Sequence, residues 1–366
     1  MSDLLNNFNF AVNNYIFKKH PISLIHFITN RCNARCSFCF IDFDDPETFR
    51  GELTIEEIEK ISKTFGPSLK NINLTGGEPF ARKEINEIAK IYFKNTTIDS
   101  LFITSNGSLP DRIESFLNEI SNHHHSKKVI LSYSLDDFEE NHNRVRKIKN
   151  LFQSVIDSYN IAKSISENIF ANVSITVSHE NCENITEIYE HLKSKGIRSI
   201  TACLVRDEGV YKTPIDKKTK IINAYKELTK RIITDRKEGI MEGYNKEKIL
   251  GRMMNKKNDI MYEKIIDTYL NNNFISTCFA GSLFGIISSK GDIYPCEILD
   301  SKKLGNLRDY GLDFQKIWFN EESKKTKKWI KDTKCRCCYE CAWSYNILGN
   351  LKYQKPLITS ALKIDS

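Results

Sequence analysis

Hydrophobic and polar positions follow two different periods in turn along the first two thirds of the chain. Residues 22–28 are nearly all apolar, which is typical of a buried strand, whereas Ile55, Ile58 and Ile61 recur at helical spacing behind Thr54, a favourable N-terminal cap. The alternation predicts strands at residues 22–28, 72–74, 100–104, 129–135, 169–177 and 197–205, and helices at residues 53–65, 85–93, 112–120, 151–165, 185–192 and 219–233.

Six strand–helix units in regular succession predict an α/β fold with a parallel sheet and right-handed crossovers. Because six units are too few for a closed eight-stranded barrel, we expect a curved, partly open barrel, a partial (β/α)6 barrel. The carboxyl ends of its strands are then the place where a ligand binds.

The pattern changes after residue 238. Residues 239–275 are rich in Lys and Asn and predict a helical connector; residues 283–296, with a turn ending at Gly291, predict a β-hairpin. Residues 312–329 predict a helix. The predicted organisation is an N-terminal extension (1–20), a core barrel (21–238), the connector (239–275), a small hairpin-plus-helix domain (276–345) and a C-terminal tail (346–366).

Composition narrows the class of protein. A chain of 366 residues with 40% hydrophobic and 28% charged residues is typical of a soluble globular protein. No apolar run approaches the ~20 residues that cross a bilayer, and no signal peptide is evident, so we expect a cytoplasmic protein without membrane contact. The net charge of +7 comes partly from runs such as residues 324–328, which favour an exposed helix face over a nucleic-acid groove.

The grouping of the eleven cysteines indicates metal sites rather than disulfides. Cys32, Cys36 and Cys39 follow the first predicted strand on one loop. Three thiolates are one short of a closed tetrathiolate site, which suggests an iron–sulfur cluster with one iron left open. A zinc loop or a set of buried thiols is the alternative.

The spacing C-x3-C-x2-C, with Phe38 before the last cysteine, resembles the signature of radical S-adenosylmethionine (SAM) enzymes. The resemblance implies a 4Fe–4S cluster whose fourth iron binds SAM, with Phe38 near the adenine. Residues 75–79 resemble the GGEP motif that binds the SAM amino group in that superfamily. Two glycines there allow a ligand to approach the backbone closely. The residues concerned are Gly76, Gly77, Glu78 and Pro79.

Two further strand ends resemble the same superfamily. Residues 104–107 resemble its T-N-G turn, in which Ser105 and Asn106 are the residues that reach ribose or carboxylate, although a plain Asn-Gly turn has the same sequence. Ser134 and Asp136, with His142 and Arg146 beyond them, resemble the S-L-D-G…H-D-x-x-R-G stretch. This chain departs from that pattern at residues 137, 143 and 147, which puts any role of His142 in doubt.

The C-terminal cysteines resemble the auxiliary iron–sulfur extensions of this superfamily, called SPASM and Twitch. Cys278, Gly291 and Cys296 match their C-x(9–15)-G-x4-C pattern, and Cys341 lies in a second group with Cys335, Cys337 and Cys338. Six cysteines suffice for one fully ligated auxiliary 4Fe–4S cluster but not for two, which favours the shorter, Twitch-like version. We expect Cys278, Cys296 and Cys341 as ligands, with the fourth among the other three. A zinc knuckle would use the same residue types.

The resemblance implies an oxidoreductase that cleaves SAM reductively to a 5′-deoxyadenosyl radical, which abstracts a hydrogen atom from the substrate. An electron donor such as flavodoxin or ferredoxin is implied, and the auxiliary cluster would accept the electron left on the substrate. We favour a peptide or protein substrate that is crosslinked, epimerised or oxidised. The runner-up is dehydrogenation of a small alcohol or sugar. The alternative of another class is a non-catalytic iron–sulfur or zinc protein that binds nucleic acid.

Overall fold

A computed structural model describes residues 10–207 and 211–363. Its strands are β1 (Ser23–Thr29), β2 (Asn71–Gly76), β3 (Ser100–Ser105), β4 (Lys128–Ser134), β5 (Ile169–Val177), β6 (Ile200–Leu204), β7 (Phe284–Ile287), β8 (Asp292–Tyr294) and β9 (Gly305–Asn306). Its helices are α1 (Ile55–Ser62), α2 (Ile85–Asn95), α3 (Pro110–His123), α4 (Glu139–Arg146), α5 (Leu151–Ile165), α6 (Ile185–Ser194), α7 (Lys218–Lys237), α8 (Ile249–Asn271), α9 (Phe314–Trp318), α10 (Glu321–Asp332), α11 (Glu340–Gly349) and α12 (Gln354–Ala361).

All nine strands form one sheet in the order β6-β5-β4-β3-β2-β1-β7-β8-β9. The first six strands are parallel and adjacent in chain order, as the six predicted strand–helix units require. Strand β7 pairs parallel with β1, and β8 and β9 follow antiparallel. The predicted partial barrel and hairpin are therefore confirmed, and the hairpin extends the barrel sheet.

The two faces of the parallel strands differ in polarity. In β2, Ile72 and Leu74 are buried in the main hydrophobic core, while Asn73 on the opposite face is only partly buried. Strands β3 to β6 repeat this alternation. Polar residues predominate on that second face, which we call the inner face, although Phe102, Ile130 and Phe170 also lie on it. Its partly buried polar residues are Asn71, Asn73, Thr75, Thr104, Ser132, Ser134, Asn172, Ser174, Thr176, Thr201 and Cys203. A parallel sheet usually buries apolar residues on both faces, so a polar face marks a cavity wall.

Local chemistry explains several element boundaries. Helix α1 begins with the predicted cap: Glu57 N–H donates to Thr54 Oγ1 at 3.2 Å, and Thr54 N–H donates to Glu57 Oε2 at 2.8 Å. This capping box satisfies two amide donors that a helix start leaves free. Gly291, at the hairpin turn, has φ of +86°, a conformation that favours glycine.

The elements beyond the barrel follow the sequence less closely. The predicted helical connector contains α8, a 23-residue helix. The single helix predicted at 312–329 is two helices, because Asn320 accepts a hydrogen bond from Ser323 N–H and starts α10 afresh. The predicted tail contains the end of α11 and all of α12. The charged helix α4 was missed. Residues 1–9 of the predicted extension lie outside the described residues.

Helix α11 joins the small domain to the barrel. At its start, the Glu340 carboxylate accepts hydrogen bonds from Leu204 N–H at 3.2 Å and from Tyr225 Oη at 2.9 Å. Further along, Tyr345 Oη lies 2.5 Å from Ser23 Oγ. The helix thus contacts both β6 and β1. Among the described residues, no helix combines the length and apolar character needed to cross a membrane.

Candidate functional site

The first three cysteines lie on the loop that follows β1. Two backbone hydrogen bonds fix this loop to the end of α4: Arg35 N–H donates to Arg146 C=O at 3.1 Å, and Ser37 N–H donates to Val145 C=O at 3.2 Å. Cys32, Cys36 and Cys39 are all partly buried. The helix that the sequence did not predict is therefore one support of the cysteine loop.

The three thiols share one electrostatic environment. Burial, with smaller contributions from Glu78, Cys36 and Cys39, raises the pKa of the Cys32 thiol to about 12. Burial also raises the pKa of Cys36 and of Cys39, while the Arg146 guanidinium lowers both. Such thiols stay protonated without metal and lose their protons when iron supplies a positive charge.

N–H groups point at two of these sulfur atoms. Ala34 N–H lies 3.3 Å and Asn106 Nδ2 lies 3.9 Å from Cys32 Sγ. Arg146 Nη1 lies 3.8 Å from Cys36 Sγ. Donors of this kind suit thiolate ligands of an iron–sulfur cluster.

The Gly-Gly turn packs against the backbone that leads into the cysteine loop. Gly77 N–H donates to Thr29 C=O and Glu78 N–H donates to Arg31 C=O, both at 2.8 Å. A Cβ on Gly77 would lie 2.7 Å from Asn30 C=O and closer still to Arg31 C=O. We expected the glycines to admit a ligand; the group that approaches them in the structure is the chain's own backbone.

Glu78 follows β2 and is buried, with 1% of its surface exposed. Its carboxylate accepts hydrogen bonds from Ser105 Oγ at 2.9 Å, Asn106 N–H at 2.7 Å and Phe80 N–H at 3.0 Å. Burial raises its pKa, and these donors oppose the rise. Pro79 begins a short 3-10 turn behind it. Glu78 thus joins the end of β2 to the turn after β3, and Asn106 carries that support to Cys32.

Asp136 holds Arg146 in a buried ion pair. Arg146 Nε and Nη2 lie 2.9 and 2.5 Å from Asp136 Oδ2, and the guanidinium carbon lies 5.6 Å from the centre of the Phe38 ring. His142 is buried beside the pair, and burial lowers its pKa to about 3. Its Nε2 is buried and has no hydrogen-bond partner among the described residues. Ser134, at the end of β4, lies on the inner face.

The second cysteine set gathers around the hairpin. Cys278, Cys296, Cys335 and Cys337 pack together in a small core that includes Ile330 of α10. Burial raises the pKa of the Cys341 thiol, and Cys337 and Cys296 are among the neighbours that raise it further. Cys338 instead packs against the main core. Of the three candidates for the fourth ligand, the structure therefore brings Cys335 and Cys337, but not Cys338, to this set.

Arg206, which no motif indicated, connects the two cysteine loops. It follows β6, and its Nη2 lies 2.6 Å from Glu297 Oε2, next to Cys296. Its guanidinium also lies 5.8 Å from the ring of Phe40, next to Cys39, and 5.7 Å from the ring of Tyr339. The two cysteine sets therefore border one region at the carboxyl end of β6.

The residues present fit the implied iron–sulfur groups. Three thiols with N–H donors stand after β1, and five cysteines gather in the second set. In residues 10–207 and 211–363, no three His, Cys, Asp or Glu side chains converge closely enough to hold a single metal ion. The fit rests on the thiol sets, their donors and the unpartnered nitrogen of His142.

Comparison with protein families gives two matches. Residues 27–201 match the model of the radical SAM superfamily, and residues 278–342 match the SPASM model, described as an iron–sulfur cluster-binding domain. The first match runs from within β1 to within β6 and includes all of β2 to β5, and the second begins at Cys278 and ends just after Cys341.

One curated relative is similar to part of the chain. The sporulation killing factor maturation protein SkfB of Bacillus subtilis is 29% identical over 179 residues, which are 48% of this chain and 40% of SkfB. The chain thus spans less than half the length of this curated relative.

Two solved structures share the fold. The structure of anSMEcpe with bound AdoMet and Cp18Cys peptide is 20% identical with a TM-score of 0.60, and the match covers 94% of this chain and all of that one. Streptococcus suis SuiB bound to its precursor peptide SuiA is 14% identical with a TM-score of 0.56, over 86% of this chain and 68% of that one.

Proposed function

We propose that this chain, which belongs to the radical SAM superfamily and carries a SPASM domain, modifies a peptide or protein by radical chemistry. The observation that carries the proposal is that the polar inner face of the sheet lies next to both cysteine sets. Arg206 at its rim contacts both cysteine loops, and Tyr345 of α11 approaches Asn71 on that face with its Oη at 3.4 Å from Asn71 Oδ1.

A peptide suits such a surface for a general reason. Every residue of an extended peptide brings one backbone donor and one backbone acceptor that need partners. The inner face offers Asn, Ser and Thr side chains from five adjacent strands. SkfB is a maturation protein, and anSMEcpe and SuiB were each solved with a bound peptide, which supports the same substrate class here.

The chain's own residues hold and shield the reacting groups. When bound, the cluster and SAM supply a radical that removes a hydrogen atom from the substrate, and the auxiliary cluster supplies an electron acceptor. We assign Cys32, Cys36 and Cys39 to the first cluster. We assign Cys278, Cys296 and Cys341, with Cys335 or Cys337, to the second. Phe38, Ser134 and the partner-free nitrogen of His142 border the space for SAM.

We also propose that an acidic electron carrier such as flavodoxin or ferredoxin docks on α10. Lys324, Lys325 and Lys328 are exposed on this helix, while Ile330 packs among the second cysteine set. Since a helix is ~10–12 Å thick, a carrier bound to the outer face of α10 would be separated from the second cysteine set by the thickness of that helix. Changing these three lysines to Glu should slow reduction by flavodoxin, with reduction by dithionite unchanged. Equal slowing with both reductants would contradict the docking site.

Deuterium transfer tests the substrate class without knowledge of the substrate. The reconstituted protein is incubated without oxygen with dithionite, SAM and a pool of fully deuterated peptides from a proteolytic digest. A second incubation uses a pool of deuterated sugars and alcohols. Mass spectrometry then measures deuterium in the 5′-deoxyadenosine formed.

We expect deuterium from the peptide pool, and none when the Cys32→Ala/Cys36→Ala/Cys39→Ala variant replaces the wild type. Deuterium from the sugar and alcohol pool alone would instead establish the runner-up, a small-molecule dehydrogenase. No 5′-deoxyadenosine from either pool, together with salt-sensitive RNA binding, would favour the non-catalytic alternative.

A further inference from the structure

Arg146 places a buried positive charge against the first cysteine set. It is 6% exposed, and its Nη1 lies 3.8 Å from Cys36 Sγ. One buried cation therefore lies directly against a thiol of this set, in a position with little access to water.

Residues of three structural elements hold this charge in place. Asp136, just beyond β4, receives two hydrogen bonds from Arg146, and its Oδ1 accepts Thr176 N–H of β5 at 2.8 Å. Arg146 ends α4, and its C=O accepts Arg35 N–H of the cysteine loop. The guanidinium stands between the carboxylate and the sulfur, so the positive end of the pair faces the cysteines.

The second donor repeats this arrangement without a charge. Asn106 Nδ2 donates to Asn33 Oδ1 at 2.9 Å and also lies 3.9 Å from Cys32 Sγ, while Asn106 N–H donates to the buried carboxylate of Glu78 at 2.7 Å. Each of the two sulfur atoms thus has a side-chain N–H donor that is positioned by a buried acid.

Reduction of an iron–sulfur cluster adds negative charge to a site already bearing thiolates. Hydrogen bonds to the sulfurs and nearby net charge set its reduction potential, and a buried charge acts strongly because water does not screen it. We propose that Arg146 raises the reduction potential of the cluster at Cys32, Cys36 and Cys39, so that an external carrier can reduce it. This rests on the proposed cluster assignment.

The test is a potentiometric titration of the holoenzyme followed by electron paramagnetic resonance. The relevant signal is the one that is lost in the Cys32→Ala/Cys36→Ala/Cys39→Ala variant. Arg146→Gln should lower the ratio of reduced to oxidised cluster at least tenfold at a given potential, which is about 59 mV for one electron. Asp136→Asn/Arg146→Gln, which leaves no unpaired buried charge, should shift the signal in the same direction by less.

Two variants serve as controls. Arg146→Lys keeps the charge and should stay near the wild-type potential. Arg144→Gln removes an exposed arginine of the same helix, whose side chain is 63% exposed, and should leave the potential unchanged. The auxiliary signal should not move in any of them.

An unchanged potential in Asp136→Asn/Arg146→Gln with full iron content would overturn the proposal. Loss of the first cluster from both glutamine variants would overturn it too, because Arg146 would then be only a support of the loop. The titration needs neither SAM nor peptide, so a failed substrate assay has no bearing on it.

Discussion

Gly77→Ala is the substitution whose effect the structure specifies most closely. An added Cβ would stand 2.7 Å from Asn30 C=O and 2.5 Å from the carbonyl carbon of Arg31, whereas contacts under 3.0 Å are essentially never seen. The obstacle is backbone, which does not rotate aside. Either the segment that enters the cysteine loop or the Gly-Gly turn must therefore shift by several tenths of an ångström.

The expected cost follows from the contacts that would be strained. Gly77 N–H to Thr29 C=O and Glu78 N–H to Arg31 C=O are each 2.8 Å long, and a net loss of about 0.5–1.5 kcal/mol applies to each. Overpacking a tight interior adds about 1–3 kcal/mol. The total of roughly 2–6 kcal/mol is smaller than most of the range of about 5–15 kcal/mol for the stability of a folded protein, so we expect a folded, less stable protein with a displaced loop.

Iron content and SAM cleavage measure this displacement. We expect Gly77→Ala to keep about four irons at the C-terminal site and to lose most of the iron at Cys32, Cys36 and Cys39. Gly196→Ala is the control, because its Cβ meets nothing within 4 Å although its φ is +88°. That variant should lose some stability and no iron. Wild-type iron and cleavage in Gly77→Ala would refute the packing described here.

Two further predictions concern buried groups elsewhere in the small domain and the connector. The Cys338→Ala variant should keep its auxiliary iron, because Cys338 packs against the main core. At least one of the single variants Cys335→Ala and Cys337→Ala should lose that iron. Iron loss in Cys338→Ala but in neither of the other two would contradict the assignment. Lys257 of α8 is 5% exposed with Ser344 Oγ at 3.0 Å, and burial lowers its pKa to about 8 from 10.5. The folded state therefore carries a cost of about 3 kcal/mol while Lys257 is charged, and this cost disappears as the pH rises from 8 to 10.5. Lys257→Met should raise the thermal unfolding midpoint at pH 7, by an amount that shrinks towards pH 10. An equal or lower midpoint at pH 7 would show that burying the charged lysine does not destabilise the fold.

Local periodicity was sufficient for the barrel, because each strand and helix buries a face that its own residues reveal. Periodicity failed to predict elements that are composed mainly of polar residues. Helix α4 consists largely of charged and amide residues, so no apolar stripe indicates it, although it supports the cysteine loop through Arg146. The break at Asn320 was missed because residues 320–328 include no apolar residue whose spacing could mark the start of a new helix.

Some residues of the candidate site could be predicted from the sequence and others could not, for the same reason. The cysteines and the Gly-Gly turn could be found because their spacing is a local property of the chain. The roles of Glu78 and Asp136 could not, because their partners lie 27 and 10 residues away and are settled by how the strand ends pack. Arg206 belongs to no local pattern. Its contacts with Phe40 and Tyr339 exist only once the small domain is placed against β6.

The central claim is that the loop after β1 carries the SAM-cleaving cluster independently of the C-terminal site. The most direct test is to replace Cys32, Cys36 and Cys39 together with Ala and to measure 5′-deoxyadenosine formation and iron in the same preparation. We predict no SAM cleavage and roughly four irons per chain, all at the C-terminal cysteines. Cleavage at the wild-type rate would contradict the account.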